Sequence, residues 1–173
     1  MKKVLSLLAI LISSTGLSYS QSKVADIEFG KTSYEEAIPK LKYKFGEPTM
    51  DDDEGRIVIF SDIYYAGQKF DKAWFFFEST TTYNVFNKCW LYSCFRTAKE
   101  AKEFRDEIVA KLRDKYKVTE EIDLKTKFKK YNVGVSPTDS TKPYMVVSAG
   151  RFGDNGYSAG INYGPFEYIN ENF

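Results

Sequence analysis

The stretch SYEEAIPKLKYKF, residues Ser33–Phe45, decides the fold because parts of it are repeated later in the chain. TAKEA at Thr97–Ala101 and KLRDKY at Lys111–Tyr116 repeat its beginning and its end. At both beginnings a hydroxyl residue precedes a Glu by three positions. This is the pattern of a capping box, in which each side chain bonds the backbone N–H of the other residue. The repetition predicts two helices of the same kind.

The first predicted helix has one apolar stripe. Ala37, Leu41 and Phe45 recur at a spacing of four residues, which places them on one side of a helix. Gly46 ends the helix, since glycine readily takes the positive φ of a helix terminus. Pro39 conflicts with the pattern because it has no backbone N–H, and it predicts a kink or a helix that effectively starts later.

Alternation and turn signals predict the remaining elements. A second helix is expected from Thr97 to about Lys117. Three strands at hairpin-like spacing follow the first helix: Arg56–Tyr65, Lys69–Glu78 and Tyr83–Phe95. Three more follow the second helix: Leu124–Val135 with a bulge near Lys129, then Tyr144–Phe152 and Tyr157–Gly164 on either side of the turn Gly153–Gly156.

This element order predicts an α+β protein built from a duplicated αβββ unit. The units would cover residues 27–96 and 97–168 of a single domain, 21–173. Their strands would join into one antiparallel sheet with both helices packed on one face. The alternative is chance similarity between two amphipathic helices.

The N-terminus is typical of a signal peptide. Lys2 and Lys3 precede the apolar run Val4–Ile12, and small residues lead to a cleavage point between Ser20 and Gln21. The apolar run is too short for a membrane anchor, because a spanning helix needs about 20 residues. We therefore expect a protein that is exported to the periplasm or secreted and does not span the membrane.

The composition excludes several classes of function. The chain has 25 basic and 24 acidic residues, so its charge indicates no nucleic-acid partner. It has no histidine, which excludes the usual Ser-His-Asp and Cys-His catalysis and His-ligated zinc. We expect neither an enzyme nor a cofactor.

The two cysteines are expected to be separate thiols. Cys89 and Cys94 lie in one predicted strand, where an odd spacing places their side chains on opposite faces. A disulfide would need Cα atoms within about 7 Å, and therefore a turn or bulge between them.

An aromatic sheet face is the main candidate site. The run Trp74–Phe77 must point its residues alternately to the two sides of a sheet, so either Trp74 and Phe76 or Phe75 and Phe77 face away from the helices. Exposed aromatic patches are typical of partner or carbohydrate surfaces. The alternatives are a core filled from both sides and a homodimer seam. The candidate surface consists of Tyr64, Tyr65, Trp74, Phe76, Trp90 and Tyr92.

Charged segments supply weaker candidates. Asp51–Gly55 could bind calcium, but it lacks EF-hand spacing and is more typical of a solvated turn. Lys125, Lys127 and Lys129 share one face of a predicted strand, where they could bind an acidic partner or protect a sheet edge. Asp62, Asp71 and Glu78 could in principle serve a glycosidase, but no spacing selects a pair; no metal site is expected.

Three segments resemble small exported proteins of Bacteroides-like bacteria that have no assigned activity: Ile27–Pro48, Tyr65–Glu78 and Phe95–Tyr116. The first unit also resembles the repeat of the beta-lactamase-inhibitor-like and SmpA/OmlA-like families, through Gly30, Ser33, Gly46 and Pro48. That resemblance implies a binding or assembly protein that offers a sheet face to its partner. An SmpA-like factor would carry a lipid-anchoring cysteine, which is missing here.

The sequence thus predicts an exported, non-enzymatic binding protein. Its expected partner is a protein at the cell envelope, held by the aromatic sheet face. A carbohydrate-binding accessory module is the alternative, and a His-independent hydrolase is a further, less favoured one. A homodimer is also possible on the same face.

Overall fold

The computed structural model describes residues 22–52, 54–80, 84–124, 127–153 and 156–166. Within these ranges the chain forms two helices and ten strands. The helices are α1 (Tyr34–Phe45) and α2 (Ala98–Arg113). The strands are β1 (Lys23–Val24), β2 (Ile27–Glu28), β3 (Met50–Asp51), β4 (Ile57–Tyr65), β5 (Gln68–Ser79), β6 (Asn84–Phe95), β7 (Val118–Ile122), β8 (Lys129–Val133), β9 (Met145–Phe152) and β10 (Gly156–Tyr163).

Eight strands form one sheet in the order β3-β4-β5-β6-β10-β9-β8-β7, and β1 pairs with β2 separately. Each recorded pair of neighbours is antiparallel. One half of the sheet runs from the edge strand β3 inward to β6, and the other half runs from the edge strand β7 inward to β10. The two halves meet where β6 pairs with β10. The predicted α+β architecture with two helices and an antiparallel sheet is therefore confirmed.

Both helices pack on the same face of this sheet. Phe45 of α1 contacts Phe75, and Phe104 of α2 contacts Phe95. Phe75 pairs with Cys89, which lies six residues before Phe95 and therefore on the same side of β6. The buried core lies between the helices and this face, and Phe75 is fully buried in it.

Each helix begins at the predicted cap. The Ser33 side chain accepts the N–H of Glu36 at 3.3 Å, and Thr97 and Glu100 form a complete capping box. Pro39 does not delay α1, which starts at Tyr34 and contains the proline on its exposed side. Neither helix in the described residues has the length and apolar character needed to cross a bilayer.

The strand predicted over Leu124–Val135 is wrong in its first half. Asp123 instead contacts the start of the next segment: the Lys127 N–H donates to the Asp123 carbonyl at 2.8 Å, and the Asp123 N–H donates to the Phe128 carbonyl at 2.9 Å. Lys127 has a positive φ of 59°, and β8 starts only at Lys129. β8 pairs with β7, an edge strand that the sequence analysis did not predict.

Lys127 and Lys129, two of the three lysines expected on one strand face, do not lie in the same strand. Lys127 lies before β8, and Lys125 falls outside the described residues. Lys129 forms an ion pair with Glu120 of β7 at 2.8 Å. Because β7 covers β8, Lys129 does not protect a sheet edge.

Two further predictions fall partly outside the described residues. The hairpin β9–β10 forms around the expected turn, with Phe152 paired to Gly156, although Asp154 and Asn155 themselves are not described. The expected signal peptide, residues 1–20, also lies outside the described residues.

Candidate functional site

The candidate site is built from a motif that occurs twice on neighbouring strands. β5 contains KAWFF at Lys72–Phe76, and β6 contains KCWLY at Lys88–Tyr92. Strand alternation sends the second and fourth residues of each motif into the core and the other three to the opposite face. We call those six residues the aromatic patch: Lys72, Trp74, Phe76, Lys88, Trp90 and Tyr92.

Antiparallel register arranges the two motifs about a central tryptophan pair. Trp74 lies opposite Trp90. On one side of that pair Phe76 lies opposite Lys88, and on the other side Lys72 lies opposite Tyr92. The patch therefore has rings at its centre and along one diagonal, and lysines at the two remaining corners.

The rings make a continuous row. Ring centroids are 5.9 Å apart for Trp74 and Phe76, 6.2 Å for Trp74 and Trp90, and 4.3 Å for Trp90 and Tyr92. Phe152 at the end of β9 reaches across β10 and extends the row, with its centroid 5.4 Å from that of Tyr92. Phe152 is 40% exposed, so the row stays open to solvent at this end.

The two lysines of the patch carry charge without a carboxylate partner in the described part of the chain. Lys88 Nζ lies 5.0 Å from the Phe76 ring centroid, a cation–π contact. Lys72 Nζ donates to Ser61 Oγ at 2.6 Å. No carboxylate among the described residues forms an ion pair with either one, so the six side chains of the patch carry two positive charges. The Asp71 carboxylate lies close enough to the Tyr92 corner to act on the Tyr92 hydroxyl, and it offsets part of that charge.

Two buried polar atoms flank Trp90 in one row of the sheet. Trp74 Nε1 and Asn162 Oδ1 form no well-aligned hydrogen bond with any described residue. Register places Trp74 and Asn162 on either side of Trp90. The Trp74 N–H lies near the Tyr92 hydroxyl, whose pKa is raised by burial and lowered in part by this indole. An unsatisfied buried group costs about 1–3 kcal/mol, so both atoms favour a partner.

The other half of the sheet continues the same face with small and polar side chains. On β10 these are Ser158, Gly160 and Asn162, which lie opposite Cys94, Tyr92 and Trp90. Ser148 of β9 lies beside Gly160. The large rings of β5 and β6 therefore border a strip of hydroxyl, amide and backbone groups.

Four of the six residues predicted for the binding surface come together: Trp74, Phe76, Trp90 and Tyr92. Three of them are half-buried, and Tyr92 is only 5% exposed, so its ring supports Trp90 from below the accessible surface. Tyr64 is 71% exposed beside Lys69 and makes no ring contact with another described residue. Tyr65 lies on the helix side, where burial raises its pKa to about 12. Asp62 explains this placement, since its positive φ of 53° reverses the strand alternation before Ile63.

Sequence reasoning missed three contributors to this surface. Lys72 and Lys88 could have been found from the repeated Lys-x-Trp-x-aromatic pattern. Once the two tryptophans share a sheet face, the lysine two residues before each of them lies on that face as well. Phe152 gave no such signal, since its contact with Tyr92 bridges strands that are distant in sequence.

The acidic turn is held by its own neighbours. Arg56 forms ion pairs with Asp52 and Glu54, and the Tyr34 hydroxyl donates to Asp51 Oδ1. Asp53 is outside the described residues. Within the described ranges no three His, Cys, Asp or Glu residues form a group that could hold a metal ion.

The carboxylates considered for hydrolysis are each engaged by a different group. Asp62 pairs with Lys69 at 3.1 Å, Asp71 accepts the backbone N–H of Cys94, and Glu78 accepts from the Asn87 amide. These contacts give no two of them a shared partner.

Cys89 and Cys94 are free and lie on opposite faces of β6, as their odd spacing predicts. Cys89 is buried in the core, where burial raises the pKa of its thiol. Cys94 is exposed at one end of the aromatic patch.

The chain matches no protein-family model, no curated protein and no solved structure.

Proposed function

We propose that this is an exported, non-enzymatic binding protein that holds a partner at the cell envelope against the aromatic patch. The observation that carries the proposal is the continuous row of rings on a sheet face that neither helix covers. The resemblance of the first unit to the beta-lactamase-inhibitor-like and SmpA/OmlA-like repeat implies the same function. A protein partner is the first candidate that the sequence offers, and a glycan is the second.

The chemistry of the patch suits binding more than catalysis. Its six side chains are aromatic rings and ammonium groups, and no histidine exists in the chain to transfer protons near neutral pH. Rings clustered at the centre of a surface are typical of residues that dominate binding energy.

We also propose that the fold arose by duplication of one helix–strand unit. Each helix is followed by four strands, and the two sets occupy equivalent positions on either side of the β6–β10 pair. On this hypothesis β5 and β6 correspond to β9 and β10. The first pair then kept or acquired rings along the open face, while the second pair carries small residues there apart from Phe152 at the end of β9.

Position-specific photo-crosslinking tests the binding function. Benzoylphenylalanine replaces Phe152 at the border of the patch or, as a control, Tyr43, which is 96% exposed on α1. Each mature protein is irradiated with cell envelopes from its source organism. We expect an adduct from position 152 that is lost when Trp90→Ala is added, and no such adduct from position 43.

Equal adducts from both positions, or none from position 152, would overturn the proposal. An adduct that persists in the Trp90→Ala background would show that the partner does not use the patch. Digestion of a specific adduct with protease or with glycosidases identifies the chemical class of the partner.

A further inference from the structure

We propose that the aromatic patch binds an acidic polysaccharide, one whose pyranose rings carry carboxylates as in uronic acids. This inference rests on the proposed binding function and names the ligand class for the same surface. It uses three features together: the tryptophan pair, the two lysines at opposite corners, and the polar strip on β10 and β9.

The tryptophan pair suits the apolar C–H face of a pyranose ring. Trp74 and Trp90 are partly exposed and lie next to each other across β5 and β6. The two indole planes are inclined at 51° to each other, so one pyranose ring stacks on one of them. Stacking of this kind leaves the ligand edges free for hydrogen bonds.

The lysines supply charge complementarity. Lys72 lies opposite Tyr92, which is four residues along β6 from Lys88, so the two lysine positions are about 13 Å apart along the strands. Neither has a carboxylate partner among the described residues. A chain molecule that crosses the tryptophan pair can therefore present one carboxylate to each corner.

The strip beside the rings supplies hydrogen-bonding groups. Asn162 Oδ1 accepts no hydrogen bond from the described residues, and Trp74 Nε1 lies near the Tyr92 hydroxyl without a well-aligned bond to it; the two atoms lie on either side of Trp90. Both atoms are buried, so a ligand reaches them only if the side chains adjust. Ser148 and Ser158 add hydroxyl groups on the same face. Sugar hydroxyls donate and accept, so they complement a surface that offers both.

The size of the patch favours a narrow ligand over a folded protein. A stable protein interface buries about 800 Å² on each partner and uses roughly 20–30 residues a side. The patch has six residues and borders a strip of serine, glycine and asparagine, which gives little apolar area for a protein core contact. An acidic protein segment is the competing outcome of the test.

Titration calorimetry and tryptophan emission test the inference. The probes are hexamers of galacturonate, mannuronate and alternating glucuronate–N-acetylglucosamine, with cellohexaose as the neutral control and hexaglutamate as the acidic peptide. The chain has two tryptophans, both in the patch, so emission reports on this surface alone. We expect at least one acidic hexamer to bind, to shift the emission and to weaken as salt is added.

Matched variants separate charge from stacking. Lys72→Gln with Lys88→Gln should weaken binding by about tenfold, as the loss of two partly exposed ion pairs implies, and should reduce the salt dependence. The corresponding double Arg variant should retain binding. Lys42→Gln is the control, since Lys42 lies on α1, outside the patch, and forms an ion pair with Glu47. Thermal unfolding of each variant shows that it is folded.

The inference is overturned if none of the acidic hexamers binds, if cellohexaose binds as well as they do, or if hexaglutamate does. A specific crosslink from position 152, together with no binding of any acidic hexamer, would refute the ligand class and leave the proposed binding function standing. Failure of both experiments would remove both proposals.

Discussion

Gly160→Ala should destabilise the junction between the two halves of the sheet. Gly160 lies on β10 opposite Tyr92 of β6. A Cβ built on Gly160 would lie 1.9 Å from the Leu91 carbonyl oxygen and 2.7 Å from Tyr92 Cα. Real Cβ atoms essentially never come within 3.0 Å of a non-bonded heavy atom. Both neighbours here are backbone atoms, which cannot move aside as the end of a flexible side chain can. The strands would have to separate by about 1 Å, out of the usual spacing of about 4.8 Å.

The cost follows from two effects. Overpacking a well-packed site costs about 1–3 kcal/mol. Strand separation also weakens the adjacent ladder hydrogen bonds, at about 1 kcal/mol each. We therefore expect a loss of about 3–4 kcal/mol, a large part of the 5–15 kcal/mol by which domains of this kind are usually stable.

Gly150→Ala is the matched control. Gly150 lies on β9, one strand farther out, and no atom would approach within 4 Å of its Cβ. That substitution should be neutral or stabilise by up to about 1 kcal/mol, because it reduces the freedom of the unfolded chain. Urea unfolding followed by circular dichroism measures both variants. Equal stability of the two would refute the register of the β6–β10 pair.

Three other predictions concern titration and reactivity. Burial raises the pKa of Tyr65 to about 12. The stability that the buried neutral phenol contributes is therefore complete below the unfolded pKa of 10.0 and is lost as pH rises towards 12. Urea stability should fall over that range by about 3 kcal/mol from this group, and the fall should be smaller in Tyr65→Phe. Cys94 should react with a disulfide reagent in the folded protein, and Cys89 only after unfolding. Hydrogen bonds from Thr97 lower the pKa of Glu100 below the unfolded value of 4.5. The stability that these bonds contribute is complete above pH 4.5 and is lost as pH falls through the folded pKa. Thr97→Ala should raise that pKa in a carboxyl NMR titration.

Local pattern predicted the elements whose side chains face two different environments. Helix α2 and the long strands β5 and β6 alternate between core and solvent, so their apolar residues have a clear period. β3 and β7 are short edge strands with almost wholly exposed side chains, so no alternation could show them. They form because neighbouring strands offer backbone partners, which a local pattern does not contain.

The candidate site shows the same limit. Alternation predicted that Trp74 and Phe76 would share a face, and Trp90 and Tyr92 likewise. It could not place Tyr65, because the reversal of alternation at Asp62 depends on the positive φ of that residue, which the residue type Asp does not predict. Nor could it state which residue of β5 lies opposite which residue of β6, since that depends on register.

Register gives the patch a property that neither motif has alone. In KAWFF and KCWLY the lysine stands two residues before the tryptophan, and a ring stands two residues after it. Parallel strands in register would have placed lysine beside lysine and ring beside ring. The antiparallel pairing instead places Lys88 beside Phe76 and Lys72 beside Tyr92. The like charges are thereby held about 13 Å apart, beyond the Debye length of about 8 Å at physiological salt, so they repel little and remain unpaired around a common tryptophan pair. A surface that keeps two separated cations next to two partly exposed tryptophans is suited to an extended anionic ligand, and this arrangement is why the double Gln variant is the sharpest test of what the protein binds.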